Sequence, residues 1–134
     1  EGKFIEGESN NSINRNIDFE GKEMKPDNKY QIFSTNIDQI IDNQILDIPD
    51  YIKIDVDGVE HLILKGGIEL LKNPKILEIQ IEINENYLDQ YNNVLEIMDE
   101  CLFKFKEKKR NDLSGYHKTK KLSKIYNYYF TRWN

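Results

Sequence analysis

The chain has 134 residues, a formal net charge of −5 and a single cysteine. That length suits one domain, residues 1–134, able to bury roughly two-thirds of its unfolded surface. The negative charge argues against a general nucleic-acid binder. The lone Cys101 leaves no internal disulfide framework and fits a reducing, cytoplasmic setting, and no apolar run approaches membrane-spanning length.

The chain begins at Glu1 with neither an initiator Met nor a basic-then-apolar leader. It reads as a soluble product, cropped from a longer one. Residues 1–29 carry little pattern. Phe4-Ile5 suits the end of a short strand, residues 8–16 an Asn- and Ser-rich loop, and Lys25-Pro-Asp-Asn28 a turn. Asn10-Asn11-Ser12 matches a glycosylation acceptor, but that short motif is common by chance.

From Tyr30 the pattern strengthens, and residues 30–102 are expected to form a β-α-β-α-β-α core. Tyr30 to Ser34 reads as a strand. Thr35-Asn-Ile-Asp38 resembles a capping box, and Ile37, Ile40 and Ile41 form one helical stripe. Ile52, Ile54 and Val56 alternate with Tyr51, Lys53 and Asp55, as in a strand. Gly58 breaks that strand, and one helix is expected over Val59 to Leu71. Gly66-Gly67 inside it implies a close helix–sheet approach or early fraying, and Asn73-Pro74 stops it.

Lys75 to Ile83 is the second strong strand. It follows a strand and a helix, so it should lie parallel to the first through a right-handed crossover. Both strands carry one polar face, which is unusual for central parallel strands. Two readings stay open: Lys53 faces Glu78 or Gln80, or the polar face has no cover. Asn84-Glu-Asn-Tyr87 is expected to cap a helix running to about Leu102, with Leu88, Tyr91, Leu95, Met98 and Leu102 as its buried stripe. Cys101 in that pattern reads as a packed thiol. Residues 103–134 are expected to form an antiparallel hairpin. Its arms are a strand from Phe103 and an aromatic strand Ile125 to Trp133, joined through a turn at Asn111-Asp-Leu-Ser-Gly115. The basic stretch Lys104 to Lys124, with Tyr116, His117, Tyr126, Tyr128 and Tyr129, reads as a solvated loop plus inward-packed aromatics rather than a nucleic-acid platform; an acidic lipid or anionic sugar is a further candidate partner.

Parallel neighbours end side by side, so Asp55 and Asp57 should lie near Glu82, Asn84 and Glu85. Oxygen ligands of this kind suit Mg²⁺, with Asp55, Asp57 and Glu82 as candidate ligands. They equally suit orientation and deprotonation of a substrate hydroxyl, or simple capping of the next helix. His61 is a candidate general base or an exposed helix-face residue. No glycine-rich strand-to-helix turn precedes residue 51, so spacing alone shows no cofactor site.

Four blocks together carry a family signal. They are Thr35-Asn-Ile-Asp38, Tyr51-Ile-Lys-Ile-Asp-Val-Asp-Gly-Val-Glu60, Leu64-Lys-Gly-Gly67 and Ile79-Gln-Ile-Glu82. In order and spacing they resemble FkbM-type methyltransferases, with Asp57 where that pattern has Glu and Gly67 where it has Ala. The resemblance implies an α/β, Rossmann-like class I methyltransferase fold, mostly parallel, of which this chain holds the C-terminal half. It implies S-adenosylmethionine-dependent O-methylation of a sugar, lipid or secondary-metabolite hydroxyl. It carries over Lys53, Asp55, Asp57, Gly58, Glu60 and Glu82. Asp55, Asp57, Glu82 and His61 are then the expected catalytic residues, Asp55 and Gly58 the cofactor contacts, and Glu60 and Asn84 the substrate contacts. The family's glycine-rich turn has no match here. An alternative expectation is therefore a catalytically incompetent remnant that binds or assembles, self-associating through an exposed sheet edge.

Overall fold

The computed structural model describes residues 3–8, 22, 29–56, 58–110 and 124–132. Strands β1 (Lys3–Glu8) and β2 (Lys29–Ser34) pair antiparallel as a two-stranded sheet, Phe4 opposite Phe33. The expected turns at Lys25–Asn28 and Asn111–Gly115, the loop through residues 9–16 and the acceptor motif at Asn10 lie outside the described residues, as do Asp57, Tyr116 and His117.

The main sheet has four strands in the order β3 (Tyr51–Ile54), β4 (Glu78–Asn84), β6 (Ile125–Thr131), β5 (Lys104–Lys109). β3 and β4 run parallel, as their strand–helix–strand order requires. The β4–β6 and β6–β5 pairs are antiparallel. The sheet is thus mixed, and the expectation of a mostly parallel one is corrected. The alternation that looked odd for parallel strands suits the sheet that forms, since antiparallel sheets keep one dry and one wet face.

Ile79, Ile81 and Ile83 are fully buried on the dry face and lie opposite Phe130, Tyr128 and Tyr126 of β6. Burying each such side chain contributes about 1.5–3 kcal/mol. The helix α4 (Leu88–Glu100) helps cover this face, with Val94, Ile97, Met98 and Cys101 in the core. Its buried stripe is rotated from the expected one: Leu88 is 65% and Leu102 77% exposed, whereas Gln90 is 1% exposed. Leu102 lies just beyond the helix at φ 63°, and the Phe103 N–H donates back to the Met98 carbonyl at 2.8 Å, closing the end. Cys101 is buried, and burial pushes its thiol pKa up, so it is packing rather than nucleophile. Among the described residues, no helix is long and apolar enough to cross a membrane.

The expected helix over residues 59–71 is two helices, α2 (Glu60–Lys65) and α3 (Ile68–Leu71), broken at Gly66-Gly67. The glycines do mark a close approach, but to a helix rather than to the sheet. A Cβ on Gly67 would collide with the Ile37 side chain of α1 (Ile37–Asp42), and one on Gly66 would lie 3.1 Å from the Asn36 Cβ. The capping box is also redistributed. Asn36 caps α1 by accepting the Gln39 N–H at 2.9 Å, and Asp38 reaches across to α3.

Candidate functional site

One step past the last registered β3–β4 pair, Ile54 with Ile81, stand Asp55 and Glu82. By that register Asp55 comes next in line with Glu82, which lies within β4 rather than at its end, because β4 runs on to Asn84. Lys53 binds Asp55 with Nζ to Oδ2 at 2.8 Å. Its pKa is raised first by that hydrogen bond and charge, and further by Glu82 nearby. Gln80 is the register partner of Lys53, but the ion pair is made within β3, and Glu78 pairs instead with Lys106 at 2.8 Å. On the same polar face Gln80 Nε2 donates to Asn127 Oδ1 at 3.0 Å.

The turn after β3 is built around Glu60, which is only 1% exposed. Its Oε1 accepts the Val56 N–H at 3.1 Å and the Gly58 N–H at 3.2 Å. Gly58 takes φ 103°, a left-handed conformation suited to glycine, so the chain can fold back over this carboxylate. Burial raises the pKa of Glu60, and the amides donated to it act the other way. Its second oxygen accepts from Gln90 of α4. Glu60, expected at the substrate surface, thus lies beneath it, with both oxygens engaged.

Asn84, the other expected substrate contact, is 4% exposed. Its Oδ1 accepts the Asn86 N–H at 3.0 Å in a local turn, so it does not cap α4, whose N-cap position is Tyr87. Glu85 is engaged with β5 and β6: it accepts the Tyr128 hydroxyl at 2.6 Å and pairs with Lys108. His61 is 3% exposed rather than solvent-facing. Its ring meets Tyr87 edge-on at 5.8 Å, and Nε2 lies 3.9 Å from Asp89, at the start of α4.

Among the described residues, no three His, Cys, Asp or Glu side chains converge as a metal set. A cavity of about 160 Å³ lies between β3 and helices α1 to α3, walled mostly by aliphatic groups including Ile52, Ile54, Leu64 and Leu70. The basic stretch is described only at its two ends. There Lys108 sits 4.4 Å over the Tyr126 ring, and Tyr128 is buried edge-on to Tyr91.

Gln90 escaped the sequence reading, although its position carries a signal. It lies four residues before Val94 and eight before Met98, so a polar side chain stands on the buried stripe of α4. No curated protein and no solved structure matches this chain. The family described as Methyltransferase FkbM domain matches residues 3–105.

Proposed function

We propose, from the premise that this chain belongs to the FkbM methyltransferase domain family, that it supplies the acceptor-handling rim of a class I, S-adenosylmethionine-dependent O-methyltransferase. The observation that supports this reading is the parallel register in which Asp55 and Glu82 come next after the Ile54–Ile81 pair, with Lys53 ion-paired to Asp55 and its pKa raised in part by the charge of Glu82. A hydroxyl is a weak nucleophile until its proton is taken. A positioned carboxylate contributes typically about 10²–10⁴-fold to such a step. Asp55 is the proposed proton acceptor, with its carboxylate oriented by Lys53, and Glu82 holds the acceptor hydroxyl. The acceptor class is a sugar, lipid or secondary-metabolite alcohol.

S-adenosylmethionine, when bound, supplies an electrophilic methyl group. Of the two expected cofactor contacts, Asp55 stands at the rim, whereas the Gly58 N–H is already committed to Glu60. The cavity beside β3 is smaller than the roughly 300–1,000 Å³ of typical small-molecule sites. That cavity is therefore too small for the whole cofactor, and the roles above are those of the chain's own acids and lysine.

The test is transfer of labelled methyl groups to a panel of sugar and lipid alcohols. Asp55→Asn is expected to cut the rate about 100-fold with an unchanged melting temperature; an equal rate refutes the role. A second reading, a non-catalytic binding or assembly module, draws on β3 being the outer strand of its sheet with Tyr51 68% exposed. Calorimetric titration with S-adenosylmethionine separates the two. Binding by the chain supports the transferase, whereas absence of binding together with dimerisation in sedimentation supports the module.

A further inference from the structure

We infer that Gln90 is a positioning residue: its carboxamide joins the turn after β3 to the end of β4 and so sets the spacing of Asp55 and Glu82. The importance given to that spacing rests on the function proposed above; the lock itself does not.

The geometry admits one polarity. Gln90 Oε1 accepts the Asn84 N–H at 2.9 Å. Its Nε2 is thereby turned to Glu60 Oε2, and it also lies 3.4 Å from the Glu82 carbonyl. At the far side of the carboxylate, Oε1 of Glu60 receives the Val56 and Gly58 amides. An unbroken chain of hydrogen bonds thus runs from one turn to the other through two side chains, both 1% exposed. Asp55 immediately precedes one anchor, Val56, and Glu82 stands two residues before the other, Asn84.

Backbone N–H groups lie at both ends of this chain, and each demands an acceptor. Positions 60 and 90 must therefore hold one carboxylate and one carboxamide between them. Two carboxamides leave a buried nitrogen facing a donor wherever they are flipped, and two ionised carboxylates at neutral pH set oxygen against oxygen, a clash relieved only by taking up a proton. A buried polar group without a complementary partner is costly, so neither arrangement keeps the turns together. The reversed pair, Gln at 60 and Glu at 90, restores the donor–acceptor order from one turn to the other and loses only the long contact from position 90 to the Glu82 carbonyl.

The experiment is a swap. Amide exchange is read by NMR on the full chain for wild type, Glu60→Gln, Gln90→Glu and the double variant. Each single variant is expected to speed exchange at Val56, Gly58 and Asn84 about tenfold while Ile79 and Ile81 of β4 keep wild-type rates. The double variant is expected to return these amides to about wild-type protection. The side-chain carboxyl carbon resonances of Asp55 and Glu82 should shift in both single variants and return in the double, which a purely global loss of stability does not produce. A double variant that exchanges as fast as the worse single overturns the inference, as do resonances of Asp55 and Glu82 that stay fixed throughout. If the single variants fail to fold, a double variant that folds with wild-type amide protection sustains it, and one that also fails overturns it. None of these readouts depends on methyl transfer, so failure of the proposed activity leaves them interpretable.

Discussion

The carboxylate of Asp38, on α1, accepts the Leu70 N–H of α3 at 2.8 Å and the Glu69 N–H at 3.3 Å. Two motifs some thirty residues apart in the chain thus meet at one point. The glycine pair breaks the helix and frees backbone donors, and the acid of the earlier motif receives them. Asp38→Ala should cost about 1 kcal/mol, up to about 2, and Asp38→Asn less, since its single amide oxygen keeps the Leu70 bond and gives up only the longer one to Glu69. Urea unfolding measures both, and equal losses would refute the capping role.

Leu102 pays for its place in the chain turn after α4. At φ 63° its Cβ is crowded by the backbone, and its side chain is 77% exposed, so little burial offsets the strain. Leu102→Gly should therefore stabilise the fold by about 0.5–1 kcal/mol despite removing an apolar side chain. A lower urea midpoint in the variant would contradict this.

Arg132 clamps two helix ends. Its guanidinium donates to the carbonyls of Leu71, the last residue of α3, and Asn73 at 2.6 Å and to that of Cys101, just past α4, at 2.5 Å, and it stacks 4.4 Å over Phe103. Lysine has one nitrogen and no planar fork to serve both ends. Arg132→Lys should cost about 2–4 kcal/mol in chemical denaturation; a loss under about 0.5 kcal/mol would mean that the clamp contributes nothing.

Glu85 makes stability depend on pH. Burial pushes its pKa up, but the hydrogen bonds from Lys108 and Tyr128 outweigh this and hold it below the ordinary carboxylate value. Its contribution is present above the unfolded value and is lost as pH falls through the lower folded value. Tyr128→Phe removes one donor to a charged acceptor and should cost about 1.5–3 kcal/mol at neutral pH. The gap between variant and wild type should narrow on acidification. Glu60, whose pKa is raised, works in the opposite sense, favouring the folded chain as pH falls, and it cancels when the two proteins are compared at each pH. Urea midpoints between pH 7 and pH 3 test this, and a constant gap would refute it.

The sequence by itself determined the elements and one relation between them. Alternation of Ile52 and Ile54, and of Ile79, Ile81 and Ile83, is a property of the extended backbone and is legible locally. A strand, a helix and a strand in succession oblige the two strands to run the same way, so the parallel pairing of β3 with β4 followed without coordinates. Tertiary structure decided the rest. It threaded β6 between β4 and β5, turned Glu60 and His61 inward, and gave Gln90 its partners. The reason is range. A periodic pattern fixes which face of an element is apolar, whereas a buried polar side chain takes its meaning from donors and acceptors that packing brings from elsewhere in the chain.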